Sequence, residues 1–374
     1  MERQIEEDGT MILNPIERRR LRRVLGPVEI NAKKGEGATV YTTGQIILKR
    51  LFAMFQRMPS FPAVSAYLIG GAASHVVNSR FSYSDIDLEF IIHTDSPCGI
   101  NFIFKDIRAY IQELLASLNN QVKPMEYLNK QFMLSGNSTD GDIWSIFGFN
   151  NNAGRHFEMK FVFRLERDYM FSTDSIKIDV TPLNLDVEDT SLPDHIFVSS
   201  SFGDLRQALY NLDHCVIDTN EPEKIMGGGF LKYVKLKMNN FSDAKEGKEL
   251  KKFRGAIARG FKKEFELYLS GCKCEPIAHF LLNHFQPGDY TGKLRYLGDL
   301  KAAYLCMDFS PIHMFIPDMN LIVEQEKTKI LDKIDEIRKA NMNGDTSTNG
   351  ELAHQQSGYQ NGNGPSSSGT YSPY

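Results

Sequence analysis

The chain has 374 residues, of which 41% are hydrophobic and 24% charged, and its formal net charge at pH 7 is −4. A chain of this length and composition can bury a substantial core, and it is typical of a soluble protein with two domains and a tail. An overall basic charge would suggest a nucleic-acid binder, and this small negative net charge gives no such indication.

Nothing in the sequence predicts a membrane span or a secreted protein. No run approaches the roughly 18 to 20 apolar residues that a spanning helix needs, and the first residues lack the apolar core of a signal peptide. The cysteines are few and irregularly spaced, and the pair at positions 272 and 274 lacks zinc-site spacing: Cys98, Cys215, Cys272, Cys274 and Cys306. An intracellular, reducing compartment is expected.

Residues 1–40 are expected to be a weakly ordered N-terminal segment around one basic helix, IERRRLRRVL. Its apolar spacing favours an amphipathic surface helix, and a nuclear localisation signal is the alternative for its arginines. TTGQIILKRLFAMFQRMPSFP then combines a threonine cap, helical spacing and terminating prolines, so it predicts a second helix.

Residues 41–200 predict an α/β domain, a mixed sheet with helices packed against it. SAYLIGG predicts a strand that ends in glycines, AASHVV a short helix and DIDLEFII a second strand. The later elements are an amphipathic helix, FKDIRAYIQELLASL, and three strands, DIWSIFGF, HFEMKFVFRL and SIKIDVTPL.

Residues 201–340 carry mostly helical spacing and predict a helical domain. Residues 341–374 are rich in Asn, Gly, Ser and Thr, cannot bury enough apolar surface to fold, and predict a disordered C-terminal tail.

Between Lys224 and Tyr268, twelve Lys or Arg stand against five Asp or Glu. Aromatic residues are interleaved with them: Phe230, Tyr233, Phe241, Phe253, Phe261 and Phe265. Two interpretations are open, a groove that binds phosphates and a solvated helix face whose aromatic side chains pack inward.

The clearest chemistry lies in residues 67–90, YLIGGAASHVVNSRFSYSDIDLEF. On a strand, residues i and i+2 share a face, so Asp85 and Asp87 present two carboxylates side by side. Their repulsion is relieved when divalent cations, usually Mg²⁺, lie between them, and two ions about 3.5 to 4 Å apart suit nucleotidyl transfer. Gly70 and Gly71 let backbone N–H groups approach a triphosphate, to which the following helix directs the positive end of its dipole.

LIGG followed by DIDL resembles the signature of the DNA polymerase β-like nucleotidyltransferases, whose fold adds a third acid on a neighbouring strand. Glu158 alternates correctly in HFEMKFVF, Asp179 alternates equally well in SIKIDV, and Asp174 lies just before that strand. The pattern alone does not choose among them.

The same resemblance implies that the helical domain, residues 201–340, binds RNA and nucleotide. The resemblance narrows to the terminal nucleotidyltransferase 5 family of poly(A) polymerases, whose order and spacing residues 42–325 follow in LIGGAASHVV, YSDIDLEF, FEMKFVFRL, DYMFSTDSI, GDLRQALYNL and EPEKIMGGGFLKY. By this resemblance Glu158 is the third metal-binding carboxylate, and Asp174 is structural.

The resemblance implies a poly(A) polymerase, an RNA 3′-terminal adenylyltransferase that adds AMP from ATP to mRNA 3′ ends, releases pyrophosphate and stabilises cytoplasmic mRNA. It implies a two-metal mechanism with Mg²⁺ or Mn²⁺, in which Asp85 and Asp87 bind both ions and Glu158 completes the site of the ion that activates the RNA 3′-hydroxyl. All three acids are present, so activity is expected.

Further contacts are implied around the nucleotide. Lys232, one turn into the helix opened by Gly227-Gly228-Gly229, is the candidate for a phosphate contact, and Tyr233 for stacking on a base; a helix-start lysine and a core tyrosine are the alternatives. Ser74 or His75 could touch phosphate or cap the helix.

Two positions depart from the family. It usually has Gly-Ser where this chain has Gly70-Gly71, which removes one hydroxyl from the triphosphate site. Met226 stands where a basic residue is usual, which weakens one expected phosphate or RNA contact.

Two other functions stay open: a transferase of the same fold with another nucleotide or acceptor, and a non-enzymatic interaction scaffold. No RNA-recognition module is visible, so a partner protein is expected to select targets. The resemblance suggests messages translated at the endoplasmic reticulum, and therefore a cytoplasmic protein associated with that membrane, with a nuclear fraction as a further possibility.

Overall fold

The structure is a computed structural model. It describes residues 4–33, 37–57, 63–93, 100–119, 123–134, 141–152, 156–165, 171–184, 193–225, 228–271, 275–286, 288–306 and 316–342. The chain divides into two compact units, Met1–Val323 and Glu324–Tyr374.

The strands all belong to the first unit. In chain order they are β1 (Met11–Ile12), β2 (Pro27–Ile30), β3 (Val40–Thr43), β4 (Ala63–Ile69), β5 (Ile86–His93), β6 (Leu128–Leu134), β7 (Ile143–Phe149), β8 (Phe157–Arg164), β9 (Ile176–Asp179), β10 (Phe197–Ser200), β11 (Val216–Ile217) and β12 (Ser242–Asp243). Eight of them form one mixed sheet in the order β1-β10-β9-β4-β5-β8-β7-β6, in which β5 and β8 pair in parallel and the other neighbours are antiparallel.

The helices precede, interrupt and follow the sheet. They are α1 (Pro15–Val24), α2 (Gly44–Gln56), α3 (Gly70–Val77), α4 (Ile100–Leu118), α5 (Pro124–Tyr127), α6 (Leu205–Asp213), α7 (Gly229–Met238), α8 (Gly247–Leu269), α9 (Pro276–His284), α10 (Tyr290–Cys306) and α11 (Ile316–Met342). The α/β prediction for the first part and the mostly helical prediction for the second are confirmed.

One face of the large sheet is apolar and buried. Leu88 and Phe90 of β5 and Phe161 of β8 have no exposed surface. The rings of Phe90 and Phe161 stack with centroids 4.8 Å apart, and Phe55 of α2 meets both at 6.1 Å. Because side chains alternate along a strand, the residues between these ones point to the opposite face, which is polar.

The N-terminal segment differs from the prediction. The basic helix is present as α1, and Asn14 caps it in a capping box with Glu17. The segment also contributes strand β1, which pairs with β10, and buried side chains such as Leu21. It is therefore part of the folded unit, because its few apolar residues recur on one face and reach the core.

The second unit contains the C-terminal part of α11. Its exposed face carries ion pairs at i,i+3 spacing, between Lys333 and Glu336 at 3.0 Å and between Arg338 and Asp335 at 3.4 Å. The first two residues of the predicted tail, 341 and 342, belong to α11. Its remaining residues, 343–374, lie outside the described residues, as do Cys98, Cys272 and Cys274. None of the described helices is long and apolar enough to cross a membrane.

Candidate active site

Gly70 forms the junction between β4 and α3. Its φ is +67°, a conformation that favours glycine, and a Cβ atom there would lie 3.1 Å from Oδ2 of Asp87. The carboxylate of Asp87 is therefore held against the first turn of α3.

Gly71 accounts for one departure from the family pattern. A Cβ atom at this position would lie 3.3 Å from Cβ of Tyr83, a tight contact. The loop that leads into β5 would therefore have to shift slightly to accept a serine side chain at this position.

The carboxylates are aligned by strand register. Asp87 pairs with Glu158 on the neighbouring parallel strand β8, and Asp85 lies one residue before β5. The Asp85 carboxylate accepts a hydrogen bond from Oγ of Ser84 at 3.2 Å. Glu158 is buried, with 5% of its surface exposed, whereas both aspartates are half-buried.

The register also separates the candidates for the third carboxylate. Asp179 pairs with Tyr67 of β4, so a whole strand separates it from β5, and its Oδ1 accepts a hydrogen bond from the backbone N–H of Thr181 at 2.9 Å. Glu158 is the candidate that directly neighbours Asp87. The geometry thus favours the same residue as the family resemblance.

These acids fit a divalent cation in donor chemistry and backbone register, since hard carboxylate oxygens are the ligands that Mg²⁺ prefers. Among the described residues, no three His, Cys, Asp or Glu side chains converge closely enough to hold an ion as they stand. Rotation of the side chains on this backbone is therefore needed to gather the donors.

Ser74 and His75 both form hydrogen bonds with backbone oxygens of the protein. The Ser74 hydroxyl, which has no exposed surface, is within hydrogen-bond distance of the backbone oxygens of Thr173 at 2.6 Å and Gly70 at 3.2 Å. The His75 ring hydrogen-bonds the carbonyl of Phe81 at 2.8 Å. A phosphate contact does not fit the buried Ser74, which instead ties α3 to the 3₁₀ turn Ser172–Asp174. A phosphate contact of His75 stays a prediction.

Lys232 of α7 meets that turn. Its ammonium lies 2.8 Å from Oδ2 of Asp174, which is 1% exposed, while the lysine side chain is one-third exposed. Burial alone would lower the pKa of Lys232. The carboxylates nearby outweigh burial and raise that pKa above its ordinary value, Asp174 first and then Asp85 and Asp87. Asp174 is therefore more than a turn residue, because it holds a cation beside the acids.

Comparison with known proteins identifies a family to which the chain belongs. The sequence profile of a family described as "Nucleotidyltransferase" matches residues 18–308. The chain belongs to this nucleotidyltransferase family.

Two human relatives confirm the narrower resemblance. Terminal nucleotidyltransferase 5D is 30% identical over 200 residues, which cover 48% of this chain and 49% of the relative. Terminal nucleotidyltransferase 5B is 33% identical over 191 residues, or 47% and 44% of the two chains. The chain thus spans about half the length of these relatives.

A solved tRNA nucleotidyltransferase, complexed with a primer tRNA and an incoming ATP analogue, aligns with 75% of this chain and 97% of its own. Its identity is 14% and its TM-score 0.28, too low to support any conclusion about this nucleotidyltransferase.

Tyr233 of the nucleotidyltransferase does not fit the predicted base-stacking role. It has no exposed surface, and its ring lies 6.5 Å from Phe171 and 6.1 Å from Phe253 between centroids. Its hydroxyl donates to Asp243 at 2.9 Å and accepts from Arg254 at 2.8 Å. Burial, then Asp243, raises the pKa of Tyr233 well above its usual range. This network holds α7 in place and thereby fixes Lys232.

Lys235 was missed in the sequence. It lies one turn beyond Lys232, its ammonium donates to the carbonyl of His284, and it sits 4.8 Å from the ring centroid of Phe285. Burial, then repulsion from Lys232, lowers its pKa to about 8. The i,i+3 spacing of the two lysines in LKYVKLKM was the available signal.

The other aromatic residues of the basic segment face inward. Phe230 and Phe261 have no exposed surface, and Phe241 retains 8%. The second interpretation of that segment therefore holds for its aromatic side chains, which pack in the core and do not line a groove. Met226 and Gly227 lie outside the described residues.

Proposed function

We propose that this protein is a poly(A) polymerase, an RNA 3′-terminal adenylyltransferase that transfers AMP from ATP. One observation carries the proposal: in a member of a nucleotidyltransferase family, Asp87 pairs in register with Glu158 and packs against the glycine turn that opens α3. A messenger RNA acceptor, a cytoplasmic site of action and a partner protein that selects targets belong to the same proposal and rest on the family resemblance.

In the reaction, the 3′-hydroxyl oxygen of the RNA forms a bond to the α-phosphorus of ATP. The bond from that phosphorus to the oxygen bridging to the β-phosphate breaks, and pyrophosphate leaves. Bound divalent cations, held by Asp85, Asp87 and Glu158, would activate the hydroxyl and neutralise charge on the phosphates.

The chain's own groups bind and orient the triphosphate. The N-terminus of α3 offers backbone N–H groups and a positive dipole, and Gly70 and Gly71 remove the side chains that would block access to them. Lys232, held by Asp174, adds a cation from α7. Because the hydrogen bonds of Tyr233 with Asp243 and Arg254 hold α7, the charge of Lys232 is in place before ATP binds.

The test is extension of a labelled oligo(A) primer by the purified protein with Mg²⁺ or Mn²⁺ and each of the four nucleoside triphosphates in turn. We expect long products with ATP alone and none from Asp85→Asn/Asp87→Asn. The matched control is Asp179→Asn, the same change on the same face of the sheet but on β9, which β4 separates from β5, and it should stay within about threefold of wild type.

Other outcomes assign other functions. Extension by a different nucleotide would retain the site and replace the adenylyltransferase by another transferase. Absence of both extension and ATP binding from folded protein would support the interaction scaffold. Equal losses in the double variant and in Asp179→Asn would contradict the assignment of the acids.

A further inference from the structure

A groove lies at the end of α3 that is farther from Gly70. Its volume is about 500 Å³, within the range of ligand sites, and its polar lining comes from α1, the loop after α3 and the end of α6: Arg20, Asn78, Ser79, Arg80, Asp213 and His214. Because α3 has 8 residues that rise about 1.5 Å each, the groove lies roughly 12 Å from the glycine turn of the candidate active site.

Hydrogen bonds to backbone carbonyls hold the two arginines that line the groove. Nη1 of Arg20 donates to the carbonyl of Val76, near the C-terminus of α3. Nη2 of Arg80 donates to the carbonyl of Asp213, the last residue of α6, at 3.2 Å. Arg80 is exposed, and its guanidinium forms no other hydrogen bond or ion pair with the described residues. Since a guanidinium has five N–H donors, Arg80 is oriented by the protein and still offers donors to a ligand.

The uncompensated positive charge lies on α1, beside the groove. Within the groove, Asp213 and the negative ends of two helices offset the charges of the two arginines. Three arginines of α1 are exposed, and none of the described residues forms an ion pair or a hydrogen bond with their side chains: Arg19, Arg22 and Arg23. Arg23 lies one turn beyond Arg20, so it extends the groove with a cation that none of the described acids pairs with.

A pair of stacked rings lies at the end of α6. The ring of His214, which lines the groove, is 4.0 Å from that of Tyr210 between centroids, and the two planes differ by 23°. Nδ1 of His214 donates to the carbonyl of Tyr210 at 2.9 Å, which fixes the orientation of the ring. Tyr210 is 55% exposed and His214 is exposed as well, so the pair offers aromatic surface to a ligand.

These groups match one class of ligand. Guanidinium groups bind phosphates in a fixed geometry, and aromatic rings stack on unpaired bases, so together they are the features that bind single-stranded nucleic acid. A membrane of anionic lipids would use the arginines of α1 but not the ring pair. At roughly 12 Å from the glycine turn, the groove lies beside the nucleotides that precede the reacting one.

We propose that Arg23, Arg80, Tyr210 and His214 bind the single-stranded RNA acceptor upstream of its 3′-terminal nucleotide. The two arginines contact phosphates, and the ring pair stacks on a base. We call these four residues the upstream surface. The inference rests on the proposed function, since it states where the acceptor of that reaction continues beyond the active site.

The test is the binding of fluorescently labelled oligo(A), about 15 nucleotides long, to the full-length protein, measured by anisotropy at several salt concentrations. Arg23→Gln/Arg80→Gln should bind at least about fivefold more weakly, and its salt slope should fall by about 1.4, as expected for two lost single-strand phosphate contacts. Tyr210→Ala/His214→Ala should bind about tenfold more weakly with an unchanged slope, because stacking on a base releases no counterions.

A charge-matched control and a membrane assay complete the test. Lys105→Gln/Arg108→Gln removes two exposed cations from α4, which packs on α2, and should keep the wild-type affinity and slope. An equal loss in this control would mean that any surface cation contributes, and would overturn the upstream surface. Binding to phosphatidylcholine–phosphatidylserine vesicles that needs Arg23 and Arg80, with RNA binding that does not, would assign the arginines to a membrane and likewise overturn the inference.

Primer length separates RNA binding at the groove from the reaction itself. KM for the long oligo(A) primer should rise in both variants, whereas extension of a dinucleotide primer, which ends before the groove, should match wild type. Equal losses on the two primers would mean that the variants disturb the active site, and would contradict the upstream surface.

The outcomes distinguish this inference from the proposed function. Primer extension together with unchanged RNA binding by both variants overturns the upstream surface and leaves the polymerase. RNA binding that depends on these residues, from a protein that extends no primer, overturns the polymerase and leaves an RNA-binding surface.

Discussion

The two faces of the large sheet are built from the same strands, but one carries apolar side chains and the other carries charged side chains. Leu88 and Phe90 of β5 are completely buried on one face, while Asp87 and Glu89 alternate with them on the other. On the apolar face, a side chain matters through the volume it fills. On the polar face it matters through the charge it presents. Substitutions on β5 and β8 should therefore divide cleanly into losses of stability and losses of activity.

The largest effect on stability is expected from Phe161→Ala. Phe161 has no exposed surface and packs on Phe55, Phe90 and Phe147, so the substitution should lower the free energy of unfolding by about 4 kcal/mol. Urea unfolding measures this loss. Glu158→Gln, on the same strand and the other face, should change stability by less than about 1 kcal/mol and abolish activity. Comparable destabilisation by Phe161→Ala and Glu158→Gln would contradict the distinction between the two faces.

Lys232→Met tests how much a charged side chain beside the polar face contributes to ATP binding. Loss of a charged phosphate contact worth about 2 kcal/mol should reduce kcat/KM for ATP about 30-fold, mainly through KM, in initial-rate measurements. The variant Lys232→Met/Asp174→Asn leaves no buried carboxylate without a partner, so it separates the lost contact from lost stability. Lys105→Met, an exposed lysine on α4, is the control. An unchanged KM would remove Lys232 from the nucleotide site.

The smallest effect expected is a pH dependence from Lys235. Its pKa is about 8 in the folded protein, because burial and then Lys232 lower it from 10.5. Between these values the unfolded chain binds more protons, so the free energy of unfolding rises with pH through Lys235. Relative to Lys235→Met, wild type should gain on the order of 1 kcal/mol from pH 8 to pH 10 in urea titrations. Parallel pH profiles would contradict the assignment.

The sequence was informative where the candidate functional residues follow the two-residue alternation of a strand. Two-residue spacing predicted that Asp85 and Asp87 share a face, and the structure places Asp87 on β5 and Asp85 one residue before it. The glycines were predicted to admit a triphosphate, and in the structure Gly70 leaves room for the Asp87 carboxylate. The same spacing extends to Glu89, which was not considered. Its ion pairs with Lys160 and Lys177 join different strands, and pairing across strands cannot be read from the sequence of any one strand.

The side chains assigned wrongly share a different property. Ser74 and Tyr233 stand close in sequence to residues that line the site, but their hydroxyls bond groups far along the chain or on another element, at Thr173 and Asp243. Proximity in sequence suggested a ligand contact, and tertiary hydrogen bonds decided otherwise. Lys235 was overlooked for the related reason that its burial and lowered pKa arise from His284, Phe285 and Lys232.

The most direct measurement is Mn²⁺ binding, followed by electron paramagnetic resonance, in the presence of a non-hydrolysable ATP analogue. If Asp87 and Glu158 hold divalent cations, Asp87→Asn and Glu158→Gln should each weaken binding at least tenfold, and Asp179→Asn should stay within about twofold of wild type. Equal Mn²⁺ affinity in all four proteins would contradict the metal-binding role of the polar face.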